Sequence, residues 1–196
     1  MATVYLVNGG SENVTFSRSN CSYDGTRLWC TTGSNSTKSG SYKCTYNCPS
    51  GSTAYFSCSR TGWGNVYDAW VSVAGSQIAS IDSSVSTSKA VSGSTTMGFD
   101  LYVNGWYSDY GAGVGLDSPT IYITYTQKYT VTVQAGTGIS SVSGGGTVNE
   151  GSSVSINATV STGYKWYRWE SNGSSYTTTQ NASVKPTSNL TLTAVG

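Results

Sequence analysis

The sequence predicts an all-β protein of two domains, a β-sandwich or jelly-roll-like domain over residues 1–127 and a small β domain over residues 128–196. Three observations carry this prediction. Short apolar runs alternate with polar residues at a period of two, glycine and asparagine clusters punctuate them, and no stretch shows the spacing of an amphipathic helix. The composition shifts near Gln127 and Lys128, which places the boundary there.

In the first domain the alternation predicts strands over residues 3–7, 14–17, 27–31, 41–46, 54–59, 69–74, 76–81, 96–103 and 120–126. Phe99, Leu101 and Val103 alternate with Asp100, Tyr102 and Asn104, and Ile121 and Ile123 alternate with Tyr122 and Thr124. Short strands at this spacing suit a sandwich or a jelly roll equally. In the second domain Tyr129, Val131 and Val133 alternate with Thr130, Thr132 and Gln134. Val154, Ile156, Ala158 and Val160 repeat the pattern, and Leu190, Leu192 and Ala194 close the chain with it. Tyr164, Trp166 and Trp169 supply the bulk that a core of short strands needs. Glycines at AGTG and in Gly144 to Gly146 permit the positive φ of tight turns; no helix and no Lys-Ser/Thr pair follows to make a phosphate loop.

The order YTVTV, AGTG, GGGTVNEGSSVSINATV, GYKWYRW and TLTAV resembles the internalin B-repeat-like modules of bacterial cell-surface proteins, which also occur in phage structural proteins. The segment Gly163, Tyr164, Trp166, Trp169 carries much of that resemblance. It covers about a third of the chain and implies a β-rich spacer or adhesion module without catalytic residues. Residues 1–127 lie outside it.

Charge narrows the partners. Ten Lys and Arg stand against nine Asp and Glu, scattered singly, and charged residues make up 10% of the chain. Without a basic stripe there is no expected nucleic-acid partner. Without an apolar run of about 20 residues there is no expected membrane span. The start MATVYLVNGG lacks a charged segment followed by an apolar one and reads as a first strand, so either a leader was removed or the chain leaves its cell by another route, as virion proteins do.

Cys21, Cys30, Cys44, Cys48 and Cys58 fall in a segment poor in Leu, Ile and Val. Covalent staples would support such a segment, so two disulfides and one free thiol are expected, with connectivity open. The alternative is that reduced thiols pack as small hydrophobes. Zinc is disfavoured, since the closest pair, Cys44 and Cys48, has three intervening residues and the chain has no His.

The absence of His removes the commonest general base and both Ser-His and Cys-His arrangements. Asp100 sits on the polar face of a strand, whereas Asp109 and Asp117 sit in apparent glycine loops where Asp caps its own turn. No DxDxDG spacing is present for calcium. No enzymatic activity, metal or cofactor is expected.

Aromatic residues are the positive signal, with fifteen Tyr and six Trp. Trp63 in TGWGN, and Trp106, Tyr107, Asp109 and Tyr110 in NGWYSDYGAG, are candidate glycan- or partner-binding residues. A sugar's C–H face stacks on a flat ring while its hydroxyls bond to neighbouring amides and carboxylates. The same residues would also anchor a protein interface, or pack against their own glycine turns.

The first functional reading is a non-enzymatic, outward-facing virion structural protein, a head decoration, head fibre or tail-associated subunit at the virion surface that attaches to bacterial surface glycans. Its partners would be other copies of itself or other virion proteins, with a homo-oligomer expected because the strand edges carry few lysines. The alternative is a secreted or cell-surface carbohydrate-binding and adhesion module of a bacterium.

Overall fold

The computed structural model describes residues 1–7, 14–63, 66–106 and 111–196, and every regular element among them is a β-strand. Two compact units divide the chain, residues 2–125 and 126–196.

The first unit contains β1 (Ala2–Val7), β2 (Thr15–Ser19), β3 (Ser22–Tyr23), β4 (Arg27–Thr32), β5 (Thr37–Trp63), β6 (Val66–Val73), β7 (Ser76–Ser80), β8 (Ser84–Asn104) and β9 (Ala112–Tyr125). All are hydrogen-bonded into one antiparallel sheet in the order β3-β4-β9-β5-β8-β6-β7, with β1 on β9 and β2 on β5. A flat sheet could not bury both halves of such long strands. The β5/β8 register breaks between Cys48 and Ser52, where Pro49 has no amide donor, Gly51 adopts φ +77° and Gly93 across the ladder adopts φ +62°. The sheet turns there, and its two parts become the two layers of a sandwich.

Before the turn, β5 pairs with β2 and the second half of β8; after it, β5 pairs with β9 and the first half of β8. Phe56 from one layer and Phe99 from the other meet edge to face, with centroids 6.4 Å apart. Around them Leu28, Val71, Met97, Leu101, Leu116, Ile121 and Ile123 are buried. Each such side chain contributes roughly 1.5–3 kcal/mol by leaving water. In β9 the buried parity changes from Ala112, Val114 and Leu116 to Ile121 and Ile123. Ser118, at φ 50°, and a register shift opposite Ser57 and Ser59 make the bulge that allows it.

Several predicted breaks are not breaks. The strands read at 41–46 and 54–59 are one strand, and those at 96–103 and 120–126 are the ends of longer ones. Inside the predicted strand 96–103, Gly98 marks a close approach: a Cβ there would collide with the Tyr42 carbonyl oxygen on the neighbouring strand.

The cysteine expectation also changes. All five are free thiols, so the two expected bridges are not formed. Cys30, Cys44, Cys48 and Cys58 are buried in the core cluster, and Cys21 packs against it half-buried. Cys44 and Cys48 lie four residues apart in one continuous ladder, about 13 Å at the strand rise, beyond disulfide reach.

The second unit contains β10 (Lys128–Ala135), β11 (Ile139–Gly144), β12 (Gly146–Asn149), β13 (Val154–Val160), β14 (Arg168–Ser171), β15 (Ser174–Thr177), β16 (Ala182–Val184) and β17 (Leu190–Val195). One sheet runs β12-β10-β17-β14-β15, the other β11-β13-β16, and β10 pairs parallel with β17. Val131, Ile156, Val184, Leu192 and Ala194 surround a fully buried Trp169, whose Nε1 donates to the Gln180 carbonyl at 2.9 Å. Trp166 meets Trp169 at 5.8 Å and donates to the Thr178 carbonyl. Tyr164, expected in this core, is instead 53% exposed.

Candidate functional site

The first unit carries a groove of about 360 Å³ on the outer face of β4, β9 and β5. Its floor follows from register. Trp29 of β4 and Thr61 of β5 both pair with Gly115 of β9, while Thr31 and Trp63 both pair with Gly113. Side chains alternate across a strand, so Ala112, Val114 and Leu116 enter the core and the two glycines leave the outer face of β9 bare. Two tryptophans stand on either side.

Neighbours fill the missing volume. A Cβ at Gly113 would fall 2.5 Å from Nε1 of Trp63, and one at Gly115 would fall 2.8 Å from Nε and Nη2 of Arg27. The Trp63 indole and the Arg27 guanidinium therefore lie against the floor, and Trp63 keeps 49% of its surface exposed. On the opposite side of β5, the Tyr67 ring packs where a Cβ of Gly62 would stand, with the Arg60 guanidinium 5.0 Å from its centroid. That contact fixes the residue preceding Trp63.

A polar fork closes the other end. Arg27 Nε lies 3.1 Å from Asp117 Oδ1, its Nη2 donates to Thr61 Oγ1 at 2.5 Å, and Thr61 Oγ1 donates to Asp117 Oδ2 at 3.3 Å. Asp24 caps the turn between β3 and β4, accepting from the Thr26 amide at 2.8 Å and the Arg27 amide at 2.7 Å. Those backbone donors, Thr26 first, hold its carboxyl below the ordinary aspartate range. The lining thus presents an aromatic plate, a donor from Arg27, an acceptor from Asp24 and the Thr31 and Thr61 hydroxyls, with Asp117 paired to Arg27 beside it. With the Arg27 guanidinium paired to Asp117 and the Asp24 carboxylate in the same lining, no excess positive charge is left for an anionic ligand.

Of the residues singled out in sequence, Trp63 lies in this groove. Trp106 is 57% exposed just beyond β8, whose last residue Asn104 pairs with Thr37 and Val66, so it stands at the same end of the unit as Trp63. Its amide donates to Asn104 Oδ1 at 2.9 Å. Tyr107, Asp109 and Tyr110 lie outside the described residues. Asp117 is not in a glycine loop but on β9, and Asp100 bonds Lys43 Nζ at 2.8 Å and Ser72 Oγ at 2.5 Å. No cluster of three or more metal-ligating side chains occurs among the described residues, and none of them forms a helix long and apolar enough to cross a membrane.

Trp29, Arg27 and Thr61 escaped the sequence reading, as did the glycine floor. A usable signal was present: Gly111, Gly113 and Gly115 alternate with Ala112, Val114 and Leu116, which is a strand with one Cβ-free face.

These features define an all-β chain with an aromatic, hydroxyl-compatible groove in its first unit. Its second unit is similar to a known module: residues 129–195 match the family model of the divergent InlB B-repeat domain, a module of the bacterial-surface or adhesion type. No curated protein and no solved structure matches the chain. The repeat match supports the bacterial-surface alternative better than the virion reading, for which no finding speaks.

Proposed function

We propose that this is a non-enzymatic, secreted or cell-surface carbohydrate-binding and adhesion module of a bacterium, with the saccharide held in the groove between Trp29 and Trp63. The observation that carries the proposal is the Trp63 indole laid on the glycine floor beside the Arg27–Asp117–Thr61 fork. A pyranose stacked on that indole would place its hydroxyls toward one donor and several acceptors, the pairing that sugar hydroxyls need. A binding role also suits the acidic side chains: Asp100 and Asp117 are engaged by Lys43 and Arg27 and so are not paired with each other for acid–base work.

The similarity of residues 129–195 to the InlB B-repeat supports a surface location. The proposed partner is bacterial surface polysaccharide, with further copies of the chain at the sheet edges. Titrating the chain with oligosaccharides released from bacterial surface polysaccharide, followed by tryptophan fluorescence, tests the reading. Saturable binding should weaken at least tenfold in Trp63→Ala and in Trp29→Ala, about 1.4 kcal/mol or more each. Equal binding by both variants would remove the groove from the account.

A further inference from the structure

The turn that carries Arg27 and Trp29 into the groove also sets two cysteines face to face. Ser22 pairs with Trp29 and Tyr23 with Leu28, so continuing the β3–β4 register by one residue brings Cys21 opposite Cys30. The kind of pair follows from the turn. The Asp24 amide donates to the Arg27 carbonyl at 3.2 Å, which makes 24/27 a hydrogen-bonded pair. Alternation then makes 23/28 non-hydrogen-bonded, 22/29 hydrogen-bonded and 21/30 non-hydrogen-bonded. Such pairs bring Cα atoms to about 4.5 Å with side chains on one face, inside the 4.4–6.8 Å range of disulfides.

Both side chains point the same way. Cys30 is 1% exposed in the core cluster, and Cys21 packs partly buried against the same cluster, its Sγ donating to the Ser41 carbonyl at 2.9 Å. Cys21 is therefore the more accessible residue of the two, and Cys30 the buried one.

We infer that Cys21 and Cys30 form a cross-strand disulfide when the chain meets a low-molecular-weight disulfide oxidant. The Cys21 thiolate attacks one sulfur of the oxidant, forming a mixed disulfide and releasing one thiol. The Cys30 thiolate then attacks Cys21 Sγ and releases the second thiol. The chain loses two hydrogens and the oxidant gains them. Burial raises both thiols above their ordinary range, so closure is slow at neutral pH and accelerates as pH rises. The closed bridge clamps the hairpin that bears Arg27 and Trp29, one wall of the groove. The inference rests on strand register alone and is independent of what the groove binds.

Incubating the full chain with an oxidised and reduced glutathione couple, followed by intact mass and peptide mapping under non-reducing conditions, tests it. The expected result is a loss of about two hydrogens, with a cross-linked peptide joining Cys21 to Cys30. Cys21→Ser, a half-buried change that should not prevent folding, should abolish the shift, and Cys58→Ala should retain it. No shift, a bridge mapped to another pair, or a shift that survives Cys21→Ser would overturn the inference.

Discussion

The indole of Trp63 lies over the α-carbon of Gly113, so close that a Cβ there would stand 2.5 Å from Nε1 and 2.8 Å from Cε2. The flatness of the groove depends on that pair. A single methyl group should separate binding from folding. Because Trp63 is exposed at its outer face, Gly113→Ala should swing the ring outward and cost stability only about 1 kcal/mol. Saccharide affinity should fall about tenfold or more, since the stacking plate is lost. Calorimetric titration beside a thermal melt reads both numbers; a large loss of melting temperature with intact affinity would contradict the assignment.

Gly98→Ala should behave in the opposite way. Here the new Cβ would meet the Tyr42 carbonyl and fall 2.8 Å from the Lys43 Cα, and backbone cannot swing aside. A loss of about 3 kcal/mol is expected from overpacking a core ladder. Urea denaturation would show it as a shifted midpoint at unchanged slope.

How far these sites were legible from sequence differs by residue type. Ile121, Ile123, Phe99 and Leu101 announced their strands through strict alternation, because one buried face needs it. Gly113 and Gly115 misled, since glycine serves both turns and close approach of a neighbour, and only the neighbouring strand decides which. Trp63 was visible as a loop-like aromatic. Arg27 and Thr61 were not, because their meeting with Asp117 depends on the register of three strands distant in sequence. The position of Trp169 was readable, but Tyr164 in the same segment turned outward.

The thiols give a pH prediction. Burial pushes Cys44 and Cys58 up to about 12 from an ordinary value of 9.0, with the Asp117 charge adding to the effect at Cys58. The folded state thus keeps protons that the unfolded state releases above pH 9, so stability is fully present below pH 9 and declines between pH 9 and about 12. Denaturation midpoints measured across that range should fall for the native chain. Replacing Cys44 and Cys58 by Ala should flatten the slope.

In the second unit Trp169 is the keystone of a small core. Trp169→Ala removes a fully buried ring and its 2.9 Å bond to the Gln180 carbonyl. The expected cost is roughly 3–5 kcal/mol, enough to unfold a unit of this size. Tyr167→Ala, at a residue 57% exposed, should leave stability nearly unchanged. Amide exchange over residues 126–196 distinguishes the two: protection should vanish in the first variant and persist in the second.

The most direct test of the groove as a saccharide site is to follow the indole N–H resonances by NMR while adding oligosaccharides from bacterial surface polysaccharide. Trp63→Phe and Trp29→Phe assign two of the signals. Saturable shifts should appear at the Trp29 and Trp63 indoles and at the amides of Thr61, Gly113 and Gly115, with Trp166 and Trp169 unmoved. Saturable binding that moves only the tryptophans of residues 126–196, or that leaves the Trp29 and Trp63 signals in place, would contradict the account.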